Sequence, residues 1–309
     1  MNCQEYCPEG KPKKIHVPEK SLTELLMASA VRTPGRAALI FYGAEYSYYN
    51  LLHMIERLSG YLQSVLGVRS DEPILLVMQN SPQFFISFYA IMHAGGVVVP
   101  INPMSRSADI AYIQNDTQAR IILCGGEVCE YAVPLLIKGR IEQLIVSNYA
   151  DMAAPDYDLK VPDTIAWRDP DVMRKIGCTV WQDVITASSP SQAVLRSVHD
   201  PAVIPYSYGT TGDPKGCMHS HYTVISYAVR GATWHEFDDN SISLTTLPMH
   251  SVFGMQTSMI GPIYAGGKLV VMVRWEPQTA AELIYRYNVT HWRSTPKMAI
   301  DLVKVPNIK

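Results

Sequence analysis

The sequence lacks a surplus of charge of either sign, and it lacks an apolar run long enough to cross a membrane. Its 309 residues carry 26 Lys and Arg against 28 Asp and Glu, a formal net charge of −2. This balance gives no electrostatic reason to expect a nucleic acid or an anionic membrane as a partner. The apolar stretch from Phe84 to Val99 is interrupted by His93 and Gly95 and falls short of the roughly 20 residues that a bilayer requires. A buried helix followed by a buried strand fits this stretch better, so we expect a soluble protein.

Cysteine is sparse, and no second pair has the spacing of zinc ligands. We therefore expect a reduced, cytoplasmic protein without a cysteine metal site. Cys217 could act as a nucleophile or as a small apolar residue, and its neighbours favour the second interpretation. Residues 1–20 contain several Lys and Pro residues but no apolar core of a secretory signal, which predicts a mobile N-terminal arm. The six cysteines are Cys3, Cys7, Cys124, Cys129, Cys178 and Cys217.

Helical and strand patterns alternate along the chain. Apolar residues recur at three- and four-residue intervals from Leu51 to Val65, which predicts a long helix. The unbroken apolar segment Ile74 to Met78 predicts a strand that is covered on both faces. The fold class expected from this alternation is α/β, with two mostly parallel sheets and helices on both faces.

Composition suggests where the chain divides. The alternation of helical and strand patterns is lost between Ser147 and Gly177, which predicts a surface excursion. Residues 187–192 are predicted to be a linker, because Ser, Pro and Gln dominate them. The predicted domains are therefore a first α/β lobe over 21–190 and a second over 191–309, which follow the arm of 1–20.

A glycine-rich stretch from Pro205 to Gly216 dominates the second lobe. An apolar run precedes it and an amphipathic segment begins near His219, which predicts a turn between a strand and a helix. Such a turn offers backbone N–H groups to a phosphate, and glycine permits unusual backbone angles and the close approach of an anion. An ordinary P-loop is excluded, because it needs Gly directly before its Lys and a hydroxyl residue directly after it. Here Pro214 and Gly216 flank Lys215.

The stretch instead resembles the signature of the adenylate-forming enzymes, Tyr-[Ser/Thr]-Ser-Gly-Thr-Thr-Gly-x-Pro-Lys-Gly, and only Tyr208 departs from it. This superfamily comprises acyl-CoA synthetases, luciferases and peptide-synthetase adenylation domains. The resemblance implies that the loop holds the β- and γ-phosphates of ATP. The residues it assigns to this role are Ser207, Tyr208, Gly209, Thr210, Thr211, Gly212 and Lys215.

Other segments resemble the same superfamily, and they follow its order along the chain. They are Tyr46 to Tyr48, Ala94 to Pro103 and Arg286 to Thr290. A second family motif, Pro-x-aromatic-His-x-x-Gly, resembles Pro248 to Gly254, but Ser251 stands at the His position and a His precedes it. The resemblance implies that His250, Ser251, Phe253 and Gly254 lie at the adenylate and acyl pocket. The apolar residues Trp234, Phe253, Met255, Met259 and Trp292 could line an acyl tunnel, although their spacing favours a core.

The resemblance also implies the activity. A carboxylate attacks the α-phosphate of ATP with Mg²⁺, and the thiol of coenzyme A then displaces AMP from the acyl-adenylate. The family's Tyr-Gly-x-Thr-Glu segment has no match after Gly254, and its ribose-binding Asp and catalytic Lys would lie beyond Lys309. We therefore expect the N-terminal part of the adenylate-forming fold, incomplete at its C-terminus, with neither the catalytic residues nor the metal ligands and inactive by itself.

Three functions remain open at this point. The first is the N-terminal region of an AMP-forming acyl-CoA synthetase that acts on a fatty or other apolar acid. The second is a short, non-catalytic homologue that binds a nucleotide or a protein, and the third is an adenylation domain for an amino acid or aryl acid. An incomplete lobe would expose apolar surface, so self-association is also expected.

Overall fold

The computed structural model describes residues 10–159, 162–163, 169–207 and 212–306. Twelve strands lie in these residues. They are β1 (Ala37–Phe41), β2 (Ala44–Ser47), β3 (Pro73–Val77), β4 (Val97–Pro100), β5 (Ile121–Gly125), β6 (Gln143–Ser147), β7 (Thr179–Val180), β8 (Pro201–Val203), β9 (His219–Ser220), β10 (Ile242–Thr245), β11 (Lys268–Val271) and β12 (His291–Trp292).

Twelve α-helical segments alternate with these strands in the described residues. They are α1 (Leu22–Arg32), α2 (Tyr48–Ser64), α3 (Pro82–His93), α4 (Ser107–Thr117), α5 (Cys129–Ile137), α6 (Pro170–Lys175), α7 (Trp181–Ala187), α8 (His221–Trp234), α9 (Val252–Gly254), α10 (Gly261–Ala265), α11 (Pro277–Tyr287) and α12 (Pro296–Val303). A π-helical turn, Met255–Ile260, joins α9 to α10, and a short 3₁₀ turn spans Tyr149–Met152. None of the helices in the described ranges is long and apolar enough to span a bilayer.

The strands form two sheets, and both are mostly parallel, as predicted. One sheet has seven strands in the order β7-β6-β5-β3-β4-β8-β9, and the other has five in the order β12-β10-β11-β1-β2. Only the edge pairs β8–β9 and β1–β2 are antiparallel. The expected α/β fold class is confirmed.

A layer of helices lies between the two sheets and shares its core with both. Leu39 and Leu269 of the smaller sheet and Leu76 of the larger sheet belong to one apolar cluster with α2 and α3. Every residue of α3 is buried, because both sides of the helix contact apolar surface. Ser81 caps this helix, since its Oγ accepts from the N–H of Phe84 at 3.0 Å. The run from Phe84 to Val99 is thus a buried helix and a buried strand, as expected.

Helices also cover the outer faces of both sheets. Alternate residues of β3, such as Leu75 and Val77, pack with α4 and α5 in a second cluster. On the smaller sheet, Ile40 and Val270 pack with α11 in a third cluster. Apolar side chains therefore project from both faces of the central strands and are buried on both sides, as the unbroken apolar runs indicated.

The two sheets do not follow the predicted division at residue 190. β1 pairs with β11, with Leu39 opposite Leu269, and β8 pairs with β4, with Val203 opposite Val98. Each sheet therefore takes strands from both 21–190 and 191–309. The physical reason is that the partner of a parallel strand is chosen by long-range packing, which local composition does not record.

Three segments predicted to lie on the outside contact the body of the protein. Tyr149, in the predicted surface excursion, is 1% exposed. In the predicted linker, Ser191 donates its backbone N–H to the carbonyl of Glu56 at 3.1 Å. In the described part of the predicted arm, Ile15 and Val17 pack against the central cluster. Polar composition did not indicate these contacts, because each depends on a few apolar or hydrogen-bonding groups whose partners lie far away in the sequence.

Candidate nucleotide and acid site

The glycine-rich stretch forms the end of a β-hairpin. Tyr206 and Gly216 face each other in an antiparallel bridge, and Ser207 donates its N–H to the carbonyl of Lys215 at 2.9 Å. The chain then continues into β9, and α8 begins only at His221. The loop therefore joins two antiparallel strands, which differs from the strand-to-helix turn expected from the sequence. Four predicted phosphate-binding residues, Tyr208, Gly209, Thr210 and Thr211, lie outside the described residues.

The described glycines of the loop have different roles. A Cβ on Gly216 would lie 2.9 Å from Ile204 Cγ2 and 3.1 Å from the ring of Tyr206, whereas one on Gly212 would meet no atom of the described residues within 4 Å. Gly216 does not have a positive φ. Gly216 is thus needed for close packing of the hairpin stem, and no described residue crowds Gly212.

Two predicted phosphate-binding side chains are at the base of the loop. Ser207 Oγ accepts from the backbone N–H of Lys215 at 3.1 Å, which leaves its hydroxyl proton available to another acceptor. Lys215 is exposed, and within the described ranges no carboxylate pairs with its ammonium. Cys217 is also exposed, so the interpretation as a buried apolar residue was wrong. Cys124, Cys129 and Cys178 are buried instead.

The second motif forms a tight turn after β10. Ser251 Oγ donates to the carbonyl of Pro248 at 2.8 Å and accepts from the N–H of Gly254 at 3.2 Å. Its single hydroxyl proton is therefore used within the turn. Gly254 is buried, and a Cβ there would lie 2.1 Å from the Pro248 carbonyl oxygen. The spacing from Pro248 to Gly254 thus reflects a backbone contact that only glycine permits.

Asn80 holds this turn against the larger sheet. It is 4% exposed, its Nδ2 donates to the carbonyl of Leu247 at 3.0 Å, and its Oδ1 accepts from the N–H of Met249 at 2.7 Å. A buried amide with both ends bonded is a rigid connection. His250, the next residue, is therefore fixed relative to the end of β3.

A cavity of about 630 Å³ brings the two motifs together. It lies at the carboxyl ends of β4, β8 and β10, where ligands of parallel sheets commonly bind. Ser207 and Pro214 of the glycine loop line one side, and His250 and Ser251 line another. The remaining lining comes largely from the β4–α4 connection and from α4. Phe253 does not line the cavity and is 51% exposed.

His250 also lines a second cavity, of about 480 Å³. Asn102 and Met104 belong to both cavities, so the two adjoin at these residues. His250 is partly buried, and burial lowers the pKa of its imidazole to about 4. At neutral pH the ring is therefore uncharged, and it can donate or accept a hydrogen bond.

The candidate tunnel residues separate into two groups. Met255 and Met259 are buried in the central cluster, whereas Trp234 is 49% exposed. Trp292 is partly buried and stacks on Trp275 with ring centroids 5.4 Å apart. The core interpretation therefore holds for the two methionines and not for Trp234 and Phe253.

Buried histidines should make the stability depend on pH. Burial lowers the pKa of His93 and of His250 to about 4, and burial followed by the charge of Arg196 does the same for His221. As the pH falls below the usual pKa of 6.5, the unfolded chain takes up these protons before the folded chain does. The free energy of unfolding should therefore fall between pH 6.5 and pH 4, by up to about 1.4 kcal/mol per pH unit for each histidine.

Urea unfolding at pH 7.5, 6 and 5 would test this expectation, with His93→Gln for comparison. The variant should show a shallower fall than the unaltered protein, whatever its stability at pH 7.5. Equal slopes for the two proteins would contradict the assignment of His93 to the pH dependence.

Several residues that shape the site are not indicated by any motif in the sequence. Asn102 lines both cavities and follows an apolar strand. A polar residue at the carboxyl end of a parallel strand is in the place where ligands commonly bind, so its position could have indicated the site. Asn80 precedes the cap of α3 and has no local pattern that indicates its contacts with Leu247 and Met249. Tyr112 and Asp116 of α4 contact the glycine loop, and no local pattern distinguishes them from other polar residues of a helix.

Comparison with known proteins supports the family resemblance of the glycine-loop sequence. The family model described as AMP-binding enzyme matches residues 26–309. This chain belongs to the AMP-binding enzyme family. The family resemblance inferred from the glycine loop is therefore confirmed, and the cavity lies between that loop and the turn from Pro248 to Gly254.

Among the relatives of this family member are a long-chain-fatty-acid–CoA ligase of Bacillus subtilis and 4-coumarate–CoA ligase 1 of Arabidopsis thaliana. The first is 24% identical over 98% of this chain and 55% of its own length, and the second is 23% identical over 83% and 44%. A crystal structure of a long-chain-fatty-acid–CoA ligase from Archaeoglobus fulgidus superposes with a TM-score of 0.77 at 24% identity, over 96% of this chain and 55% of that one. At this identity the superposition shows the fold alone. The chain spans about half the length of the curated relatives that it matches.

Proposed function

We propose that this chain is the N-terminal region of an ATP-dependent, AMP-forming acyl-CoA ligase. Its role would be to bind ATP and a carboxylic acid for formation of an acyl-adenylate. The observation that carries the proposal is the 630 Å³ cavity between the glycine loop and the His250 turn. Two motifs about 40 residues apart in sequence line one space, at the edge of the sheets where ligands bind.

The residues at the base of the loop suit a polyphosphate. The ammonium of Lys215, which pairs with no carboxylate of the described residues, would neutralise charge on the β- and γ-phosphates. The hydroxyl of Ser207 would donate to a phosphate oxygen. In the adenylation step the acid's carboxylate oxygen bonds to the α-phosphorus, and the bond to pyrophosphate breaks. Fixed donors near the departing charge stabilise such a transition state more than they stabilise the ground state.

The walls of the cavity suit an apolar acid. Ile101, Ile113 and Val252 line it together with the neutral imidazole of His250. Because the proton of Ser251 is used within the turn, we assign to His250 the contact with the adenylate or the acid. A fatty or aromatic acid fits this lining, and the names of the relatives include both kinds.

Magnesium and coenzyme A complete the proposed reaction. Mg²⁺ would accompany the phosphates of ATP and neutralise part of their charge. The thiol of coenzyme A would then attack the acyl carbonyl, and AMP would leave. A cytoplasmic location and self-association, both expected from the sequence, stay predictions.

Exchange of labelled pyrophosphate into ATP tests the proposal directly. The full-length protein and residues 1–309 would each be assayed with Mg²⁺ and a panel of fatty and aromatic acids. We expect acid-dependent exchange by the full-length protein, and the acid that supports it would identify the substrate. Absence of exchange with every acid, in a protein that still binds ATP, would overturn the ligase assignment in favour of a nucleotide-binding homologue.

A further inference from the structure

Helix α4 contacts both arms of the glycine hairpin. On the outgoing arm, Tyr206 Oη donates to Asp116 Oδ2. On the returning arm, the carbonyl of Pro214 accepts from Tyr112 Oη at 3.2 Å. Tyr112 and Asp116 are four residues apart, so they lie on the same face of the helix. One helical face therefore holds the hairpin at two points.

Each anchored residue is next to a residue proposed to bind phosphate. Tyr206 precedes Ser207, and Pro214 precedes Lys215. Ser207 and Lys215 are in turn joined by two hydrogen bonds across the stem, of 2.9 and 3.1 Å. A shift of either arm relative to α4 would move the hydroxyl and the ammonium together.

We propose that Tyr112 and Asp116 are positioning residues that hold Ser207 and Lys215, at the base of the glycine loop, in the geometry that binds the phosphates of ATP. The inference rests on the proposed function of the loop. Tyr112, Tyr206 and Pro214 all line the 630 Å³ cavity, so the anchor points border the site itself. Gly216 supports the arrangement, because a Cβ there would lie 3.1 Å from the ring of Tyr206.

The charge of Asp116 argues for a positioning role rather than for a role in attracting the ligand. A carboxylate near a polyphosphate opposes binding through its charge, and Asp213 on the loop adds a second negative charge. An acidic residue at this place is useful for the hydrogen bond it accepts. Burial raises the pKa of Tyr206, and the bond to Asp116 raises it further, so the phenol stays protonated and remains the donor.

Charge and anchoring predict opposite results, which makes the inference testable. If Asp116 acted through its charge alone, its removal would tighten phosphate binding. If it acts as an anchor, Asp116→Ala should weaken binding, whereas Asp116→Asn, which keeps an acceptor and loses the charge, should bind at least as well as the unaltered protein. Tyr206→Phe removes the donor and leaves the charge of Asp116 in place, so it should weaken binding at least as much as Asp116→Ala.

The experiment measures binding of magnesium pyrophosphate and of ATP to the full-length protein by calorimetry, at constant ionic strength. We expect about tenfold weaker binding for Tyr206→Phe and for Asp116→Ala, the effect of one lost hydrogen bond to a charged group. The double variant should bind no more weakly than the weaker single variant, because both changes remove the same bond. Tyr112→Phe should weaken binding about threefold, and Tyr49→Phe and Asp171→Asn, which lie on α2 and α6, should bind normally.

Normal binding by Tyr206→Phe and Asp116→Ala would overturn the positioning role, as would tighter binding by Asp116→Ala or effects that multiply in the double variant. Lys215→Ala separates this failure from failure of the proposed function. If Lys215→Ala weakens binding while the anchor variants do not, the loop binds phosphate without help from α4. If the unaltered protein binds neither probe, or Lys215→Ala binds like it, the phosphate role of the loop and the positioning role are both overturned. Unfolding midpoints measured in parallel separate a general loss of stability from a loss of positioning.

Discussion

Lys215→Ala should lower the rate of ATP–pyrophosphate exchange about 100-fold, the usual effect of removing one group that stabilises developing charge in a reaction. The ammonium is exposed, and among the described residues it has no acidic partner, so its positive charge is available to a polyphosphate. Because the ammonium makes no ion pair within the described residues, it should contribute little to the free energy of unfolding. The exchange rate should therefore fall while the urea midpoint stays where it is.

Lys175→Ala is the matched control for this prediction. Lys175 ends α6 and is also exposed, but it does not line the cavity. Its variant should exchange pyrophosphate at the normal rate. Lys215→Arg should recover part of the activity, because it restores the charge but not the compact geometry of an ammonium. An exchange rate for Lys215→Ala within threefold of normal would argue against a phosphate role for this residue.

Gly254→Ala should destabilise the protein by about 3 kcal/mol, at the upper end of the usual cost of overpacking a buried position. The new methyl group would lie 2.1 Å from the Pro248 carbonyl oxygen, 2.7 Å from the Pro248 carbonyl carbon and 3.1 Å from that of Leu247. All three atoms belong to the backbone, so no side chain can turn away to make room. The turn must open, and opening breaks the bonds of Ser251 and strains those that Asn80 makes to Leu247 and Met249.

The control for Gly254→Ala is Gly231→Ala in α8. A Cβ on Gly231 would meet nothing within 4 Å, and alanine in a helix interior is favoured over glycine by about 0.5–1 kcal/mol. The two substitutions add the same methyl group, but urea unfolding should show a lower free energy of unfolding for Gly254→Ala and a higher one for Gly231→Ala. Equal stability of Gly254→Ala and the unaltered protein would mean that the Pro248 turn is looser than its contacts indicate.

Opening of the Pro248 turn should also impair the site. His250 lines both cavities, and its position depends on the bonds between Asn80 and the neighbouring backbone. In a Gly254→Ala protein that still folds, acid-dependent exchange should fall more than binding of pyrophosphate, because the glycine loop is held separately by α4.

Local patterns in the sequence determined most of the elements. The apolar run that begins at Phe84 indicated α3, and the period of the apolar residues from Leu51 onwards indicated α2. Both are helices in the structure, with ends close to those expected. The family was also readable from the glycine loop, because its signature consists of particular residues at adjacent positions. Caps, hydrophobic periods and short motifs lie within a few residues, so a single sequence displays them.

Tertiary structure alone decided how these elements are joined. Strand β1 pairs with β11, whose residues come about 230 positions later, and the glycine loop proved to be a hairpin rather than the turn before a helix. Asn80, Tyr112 and Asp116 acquire their roles only because folding brings them against Leu247, Pro214 and Tyr206. The free energy that selects these partners is spread over many packed side chains far apart in the chain. No single stretch of sequence carries this free energy, which is why the family motif could be recognised in the sequence and the residues that contact it from other elements could not.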